Sequence, residues 1–367
     1  MSAEKLTVLI MAAGTGGHVF PALSIAQKLQ EKNVRTEWMG THQGMENRLL
    51  EGTGIRIHAV SAKGLKGKGI LRLLFAPIML VQALIQSMRV LSEVKPDCVL
   101  GMGGFVSGPG GLAAKLTGRK LVIHEQNAVP GFTNKLLAKI ANQVFEAFPN
   151  TFSRNAKVIH TGNPLRKEIA GLALRARSPV EELSRPLQIL VLGGSQGALA
   201  INEIVPEFLA NWSAENRPAV LHQTGERTLE NTRSTYREKG LDSAEGIQVV
   251  PFISDMAEAY DWADLVICRS GASTVSEIAA VGLPSILVPY PYHSDQQQKH
   301  NANWLVQAGA AFLLEQKTLT AQALRELVLD LHINRNKLRR MSDIAKSISI
   351  CDADEIIARR CLELAHA

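Results

Sequence analysis

Short apolar runs separated by helical patterns occur in two successive series along this chain, and one break divides them. In the first series the runs at 6–11, 36–39, 55–60, 98–101 and 121–124 alternate with helical patterns at 19–31, 45–51, 70–91 and 110–116. Such alternation predicts a doubly wound parallel sheet, whose strands are buried on both faces and so read as continuous apolar runs. A helix at 132–141 and strand signals near 143–145 and 157–160 lead into Thr161-Gly162-Asn163-Pro164-Leu165-Arg166, where Gly, Asn and Pro interrupt the pattern. The second series runs through 187–192, 219–224, 247–250, 265–268, 285–288 and 311–314, with helices between. Residues 170–186 read as a polar connector, and 319–331, 335–346 and 353–365 as terminal helices. At 367 residues the chain is long enough for two domains of roughly 150–200 residues each. The expected α/β architecture is therefore two Rossmann-like domains, 1–163 and 164–342, facing across a cleft at the carboxyl ends of their strands, where such sheets bind ligands.

Within that frame the most informative stretch is 264–302. The strand at 265–268 turns through Arg269-Ser270-Gly271 into a helix over 272–281 that opens on small and hydroxylated residues. Unpaired backbone N–H groups and the positive end of the helix dipole there suit a phosphate. Glu277, about one turn on, can offer a carboxylate to two neighbouring hydroxyls of a ribose. Gly282-Leu283-Pro284 stops the helix, and an amide-rich loop, His293 to Asn301, follows the next strand.

Three Gly-rich turns, 14–17, 101–104 and 193–197, each follow an apolar run. Glycines let backbone N–H groups approach a charged ligand closely. None fits the dinucleotide fingerprint, since Val19 and Val106 stand where its third glycine belongs, and no P-loop pattern occurs. Each turn alone reads equally as a tight strand-to-helix connection; three at one cleft point to a diphosphate.

His18 opens a helix just ahead of Pro21, where the dipole disfavours an imidazolium. A neutral ring there can accept the proton of an attacking hydroxyl, a gain of ~10²–10⁴ in rate; a helix-cap histidine without chemistry fits the same pattern. Glu125 is a rival base, and His293 and His300 read as loop residues. The only D-x-D is Asp352-Ala353-Asp354, in the terminal helical region, so neither metal nor cofactor is expected. Leaving-group charge then falls to helix ends, hydroxyls and arginines: Ser195, Ala272, Ser273, Thr274, and Arg269 or Arg166. Arg269 reads equally as an interdomain ion pair, and Ile253 as a buried apolar residue.

The net charge of +6 is small, but no Asp or Glu occurs between Gly52 and Ser92. A basic loop carrying Lys63, Leu65, Lys66 and Lys68 runs into an apolar helix with Arg72, Leu74 and Phe75. The apolar run is too short and too interrupted to span a bilayer. At about 1 kcal/mol for each basic residue beside anionic lipid, Lys63, Lys66, Lys68 and Arg72 supply roughly 4 kcal/mol, enough for reversible attachment. A buried helix with a solvated basic turn is the plainer alternative. With aromatics at 5%, no stacking platform for nucleic acid accompanies the charge. Residues 6–11 pass directly into a Gly turn and read as the first strand rather than a signal peptide. Cys98, Cys268, Cys351 and Cys361 lack C-x-x-C spacing, which favours reduced thiols in the cytosol.

Taken together, Gly14-Thr15-Gly16-Gly17-His18-Val19-Phe20-Pro21, Gly193-Gly194-Ser195-Gln196-Gly197 and the 264–302 stretch resemble the GT-B class of glycosyltransferases, in order and over nearly the whole chain. The resemblance implies inverting, metal-independent transfer of N-acetylglucosamine from UDP-GlcNAc to lipid I, the undecaprenyl-linked acceptor, giving lipid II. It implies a peripheral enzyme on the cytoplasmic face of the bacterial inner membrane. It favours His18 as the base, and assigns donor contacts to Thr15, Gly16, Gly17, Asn127, Arg166, Ser195 and Arg269 and to the helix residues Ala272, Ser273, Thr274, Val275, Ser276 and Glu277. Ile253 would meet the uracil edge through its backbone, and Gln297 and Gln298, in the run that Gln296 opens, the sugar hydroxyls. It also implies a last helix, about 343–367, that crosses back onto the first domain. A UDP-sugar epimerase of the same plan and a non-catalytic UDP-sugar-binding protein remain the two other readings.

Overall fold

The structure is a computed structural model that describes residues 5–61, 70–175, 185–194 and 197–367, the side chains of 70–76 excepted. It consists of two compact units, Met1–Arg166 with Ile350–Ala367, and Lys167–Ser349.

The first unit runs β1 (Thr7–Met11), α1 (Gly16–Glu31), β2 (Arg35–Gly40), α2 (Met45–Leu49), β3 (Arg56–Ala59), α3 (Ile70–Val94), β4 (Cys98–Gly101), α4 (Ser107–Leu116), β5 (Lys120–Glu125), α5 (Phe132–Ile140), β6 (Gln143–Glu146) and β7 (Val158–His160). Its seven strands form one parallel sheet in the order β3-β2-β1-β4-β5-β6-β7. β1 shows why its sequence is apolar throughout. Val8, Ile10 and Ala12 enter one core with Trp38 and Leu100, while Leu9, Met11 and Ala13 enter the other with Met39 and Val99. Side chains that alternate across a strand covered on both faces must all be apolar.

The second unit runs α6 (Lys167–Ala173), β8 (Gln188–Leu192), α7 (Leu199–Ala210), β9 (Ala219–Gln223), α8 (Leu229–Glu238), β10 (Ile247–Val250), α9 (Met256–Trp262), β11 (Leu265–Cys268), α10 (Ala272–Val281), β12 (Ser285–Leu287), α11 (Gln297–Ala308), β13 (Ala311–Leu313), α12 (Ala321–Ile333) and α13 (Arg335–Ile348). Its sheet order is β10-β9-β8-β11-β12-β13, again all parallel. α14 (Ala353–His366) rejoins the first unit, where Ile357, Ala358 and Cys361 share a core with Val19, Ile25 and Leu29 of α1.

Several boundaries differ from the sequence expectation. The units divide after Arg166 rather than after 163, and the return to the first unit begins at Ile350 rather than near 343, because α13 packs against α10 within the second unit. α6 runs into the predicted connector, ending at Ala173. α4 starts at Ser107, ahead of the predicted 110, although its opening Ser-Gly-Pro-Gly-Gly reads as a breaker. Pro109 is tolerated in a first helical turn. Gly111 is there for close approach, since a Cβ would lie 2.7 Å from Leu137 of α5.

In each unit one central strand, β1 or β8, lies between its successor and a strand that comes later in the chain. Winding reverses there, so the loops after β1 and β4, and after β8 and β11, border the crevice in which doubly wound sheets take ligands.

Candidate active site

In the first unit the loops after β1 and β4 interlock. Thr15, extended at φ −90°, precedes α1, whose first residues are Gly16 and Gly17, and His18 N donates to Thr15 O at 3.1 Å. The second loop turns at Gly103 (φ +103°) and Gly104 (φ +80°), left-handed conformations that favour glycine. No side chain fits at either position: a Cβ on Gly104 would strike the Ala13 carbonyl, and one on Gly103 would lie 2.7 Å from His18 Nδ1. The His18 ring is thus backed by bare main chain.

His18 Nδ1 lies 2.9 Å from Gln126 Oε1. Gln126 Nε2 lies 2.9 Å from Met102 O and 3.1 Å from His124 Nδ1, and His124 Nε2 lies 3.0 Å from Gly162 O. Gln126 and His124 are both buried. Burial holds the His124 pKa down to about 4, outweighing the Gly162 carbonyl bond that raises it; the neighbouring His18 lowers it further.

Glu125, the rival base in the sequence, is 3% exposed and occupied. Its Oε1 accepts from Asn127 N and Nδ2 at 3.1 and 3.2 Å, and its Oε2 from Gly131 N and Asn134 Nδ2 at 3.1 and 2.9 Å. A carboxylate with four donors braces the 126–131 loop and the first turn of α5. Asn127 is held by that same carboxylate, and Arg166, half-buried, closes the first unit.

In the second unit the corresponding place is built from backbone. Gly271 leads into α10 with no side-chain cap, and the first helical bond runs from Val275 N to Gly271 O at 2.9 Å. The N–H groups of Ala272, Ser273 and Thr274 therefore point out of the helix end. Ser273 Oγ is buried and finds no hydrogen-bond partner among the described residues. Such an orphaned hydroxyl, at a positive helix end, fits an anion. Val275 does not: its side chain is core and its N–H is already bonded. Ser276 is buried as well. Ser195 lies outside the described residues.

Arg269 is engaged within its own unit. Its Nη1 donates to Val288 O and Pro289 O at 3.1 Å each, and its Nη2 to Gln316 Oε1 at 2.6 Å, bracing the loop after β12. Burial lowers its pKa. Beside it, Ser270 Oγ donates to Gln298 O at 2.7 Å and Asn301 Nδ2 to Ser270 O at 3.3 Å, so the first turn of α11 is tied to the entrance of α10. Gln296 is left-handed (φ 48°) and α11 begins at Gln297, so Gln297, Gln298 and His300 are helical and only His293 stays in the loop. Gln298 Oε1 accepts from Tyr290 N at 2.9 Å, which leaves its amide nitrogen as the group to offer outward. Glu277, 8% exposed, receives the Tyr260 hydroxyl on Oε2 at 3.0 Å. Ile253, expected to be buried, is half-exposed in the loop after β10, next to exposed Phe252.

Of the basic segment, Lys63, Leu65, Lys66 and Lys68 lie outside the described residues, and Arg72, Leu74 and Phe75 are described only as backbone of α3. What sequence reasoning missed is the apolar surface beyond them. Ile78, Val81, Ile85 and Met88 form an exposed helical stripe on α3; Leu112 and Leu116 on α4, and Phe132 and Leu136 on α5, are exposed too. Those three helices pack side by side. The three-to-four spacing of these residues was visible in sequence, but it marks a core-facing stripe just as well. No helix among the described residues is long and apolar enough to cross a membrane.

The chain matches the glycosyltransferase family 28 N-terminal domain over residues 8–146 and the family's C-terminal domain over 188–356. It is 48% identical, over 98% of its own length and 99% of the relative's, to an Azotobacter vinelandii protein described as UDP-N-acetylglucosamine–N-acetylmuramyl-(pentapeptide) pyrophosphoryl-undecaprenol N-acetylglucosamine transferase. The crystal structure of Acinetobacter baumannii MurG is similar at TM-score 0.82 and 41% identity, covering 98% of this chain and 99% of that one. A Listeria monocytogenes protein described as a UDP-N-acetylglucosamine 2-epimerase reaches TM-score 0.69 at 17% identity, with 99% and 98% covered, a likeness of fold alone. On these matches and its two parallel-sheet units, the chain belongs to glycosyltransferase family 28.

Proposed function

We propose that this protein transfers N-acetylglucosamine from UDP-GlcNAc to lipid I, the undecaprenyl-linked muramoyl-pentapeptide, giving lipid II. The observation that carries the sugar and the acceptor is the 48% identity, over nearly the full length of both chains, to a transferase so described. Fold alone would leave the epimerase open, since that plan is shared at low identity.

The site residues take roles consistent with this chemistry. The acceptor hydroxyl gives its proton to His18 Nε2 while its oxygen bonds to the anomeric carbon. The bond from that carbon to the UDP oxygen breaks, and the electron pair leaves on the diphosphate with inversion. The N–H groups at the start of α10 and Ser273 Oγ receive that negative charge, in a direction set before the reaction and so without reorganisation cost. Glu277 holds the ribose, Ile253 borders the uracil, and Gln297 and Gln298 read the sugar hydroxyls. Thr15, Gly16 and Gly17 offer a second helix end to phosphate, with Asn127, Arg166 and Ser195 as further donor contacts.

The exposed stripes of α3, α4 and α5 take the apolar part of an anionic membrane surface, with the basic residues before them as electrostatic attraction, on the cytoplasmic face. Anionic vesicles should sediment the protein at low salt and less so at high salt; failure to bind at low salt would remove the membrane from this reading. Transfer of label from UDP-GlcNAc to a short-chain lipid I analogue, with EDTA present, tests the reaction. Release of N-acetylmannosamine without acceptor would instead indicate an epimerase, and UDP-GlcNAc binding without turnover a binding protein.

A further inference from the structure

We propose that Gln126 is a positioning residue that fixes the tautomer of His18, so that the proton sits on Nδ1 and the Nε2 lone pair is always the one presented. The inference rests on the reading of His18 as base and adds what makes that base competent. A neutral imidazole has one donor and one acceptor nitrogen, and the hydrogen bond at one decides the state of the other.

The assignment follows from an atom that has no ambiguity. Met102 O is a backbone carbonyl and can only accept. The side-chain amide atom 2.9 Å from it must be the nitrogen of Gln126, so the amide oxygen is turned toward His18. An amide oxygen can only accept, and His18 Nδ1, 2.9 Å away, must therefore carry the hydrogen. A second carbonyl leads to the same answer. Gly162 O, 3.0 Å from His124 Nε2, requires a hydrogen on that nitrogen. The neutral His124 ring then offers Nδ1 as an acceptor, 3.1 Å from the second amide hydrogen of Gln126. Two main-chain oxygens from distant parts of the first unit thus orient one buried amide. Exchanging its oxygen and nitrogen would set acceptor against acceptor at both Met102 O and His124 Nδ1.

Position is held as firmly as protonation. Even a Cβ on Gly103 would lie 2.7 Å from Nδ1 and 2.8 Å from Cε1, so the β4 loop leaves the ring little room to move off Gln126. No hydrogen bond occupies His18 Nε2 among the described residues. The partner is an amide and not a carboxylate, so it selects the tautomer without placing a negative charge behind the ring.

The test is the ¹⁵N–¹H correlation spectrum of the imidazole rings of the full chain at neutral pH, with His18 assigned by its loss in His18→Gln. The proposal expects a protonated Nδ1 and a bare Nε2. A bare Nδ1 in the unmodified protein overturns it, whatever any variant does. In Gln126→Met, which keeps bulk but offers no acceptor, the spectrum should shift toward the Nε2–H form that histidine prefers in water. Its kcat should fall at least about tenfold, a fraction of what a base supplies, with KM for UDP-GlcNAc unchanged within a factor of two. An unchanged tautomer and kcat in a folded Gln126→Met protein would also overturn the proposal. Failure of the underlying reading is distinguishable: normal turnover in His18→Ala removes the base but leaves the wild-type spectrum as predicted.

Discussion

The two units repeat one topology and put opposite chemistry at the equivalent point. Where winding reverses in the first unit, loops after β1 and β4 close on a side-chain network that ends in the His18 ring. At the same place in the second, the loop after β11 exposes the start of α10 and a hydroxyl without a partner. The first arrangement can hold or move a proton; the second can hold charge without moving anything. A fold therefore sets where a ligand sits, and the residues closing the loops set what happens there.

The sharpest way to break the comparison is to remove one function and look for damage in the other. His18→Ala should lower kcat by ~10²–10⁴ and leave the UDP dissociation constant, measured by calorimetry, unchanged. A matching loss of UDP affinity would mean the division of labour is wrong.

Next in size is an effect of acid on both units. Burial lowers the pKa of His124 from 6.5 to about 4 and that of His222 to about 3. His222 is enclosed by Tyr236 Oη at 3.0 Å and Asn202 Oδ1 at 3.1 Å. Each folded-state pKa lies below the unfolded one, so the neutral ring belongs to the folded form. The stability it carries is complete above pH 6.5 and is withdrawn as pH falls toward 4. His124 alone removes about 3 kcal/mol over that range. Urea midpoints at pH 7.5 and 5 should differ accordingly, and His222→Asn should flatten the pH dependence of the second unit. Equal midpoints at the two pH values would contradict both assignments.

Smaller effects belong to the donor side. Glu277→Gln keeps an acceptor for the Tyr260 hydroxyl and weakens a charge-assisted bond of about 1.5–3 kcal/mol. UDP affinity should drop roughly tenfold with the thermal midpoint preserved; undiminished affinity would remove the ribose contact. Least of all, Ser273→Ala should cost about 1 kcal/mol in UDP-GlcNAc binding. Tighter binding in that variant would show that the hydroxyl faces no anion.

Much of this was legible in the chain. Apolar runs buried on two faces are unmistakable when they recur with helices between them, as β1, β4, β8 and β11 do. The entrance of α10 was legible for the same local reason: a strand, a Gly turn and a helix start are set by neighbours in sequence. Arg269 was not, because a guanidinium reads the same whether it meets a phosphate, a carboxylate or, as here, the carbonyls of Val288 and Pro289. Glu125 misled in the same way, its carboxylate being consumed by a loop that only folding brings round to it. α4 was read too short because Gly-Pro-Gly-Gly signals a turn, while its Gly111 answers to the distance between two helices.

By itself, then, the sequence determined two successive doubly wound halves and the helix end that opens onto the second crevice, since both follow from periodicity and local turn chemistry. Tertiary structure alone decided the partners of each polar side chain. His18 and Gln126 stand 108 positions apart, and no local pattern records that the amide meets the ring, because that distance is closed only when β1, β4 and β5 align in one sheet. The exposed stripe of α3 was decided in the same way: helical spacing names a face, and only packing against α4 and the sheet determines how much of it is covered.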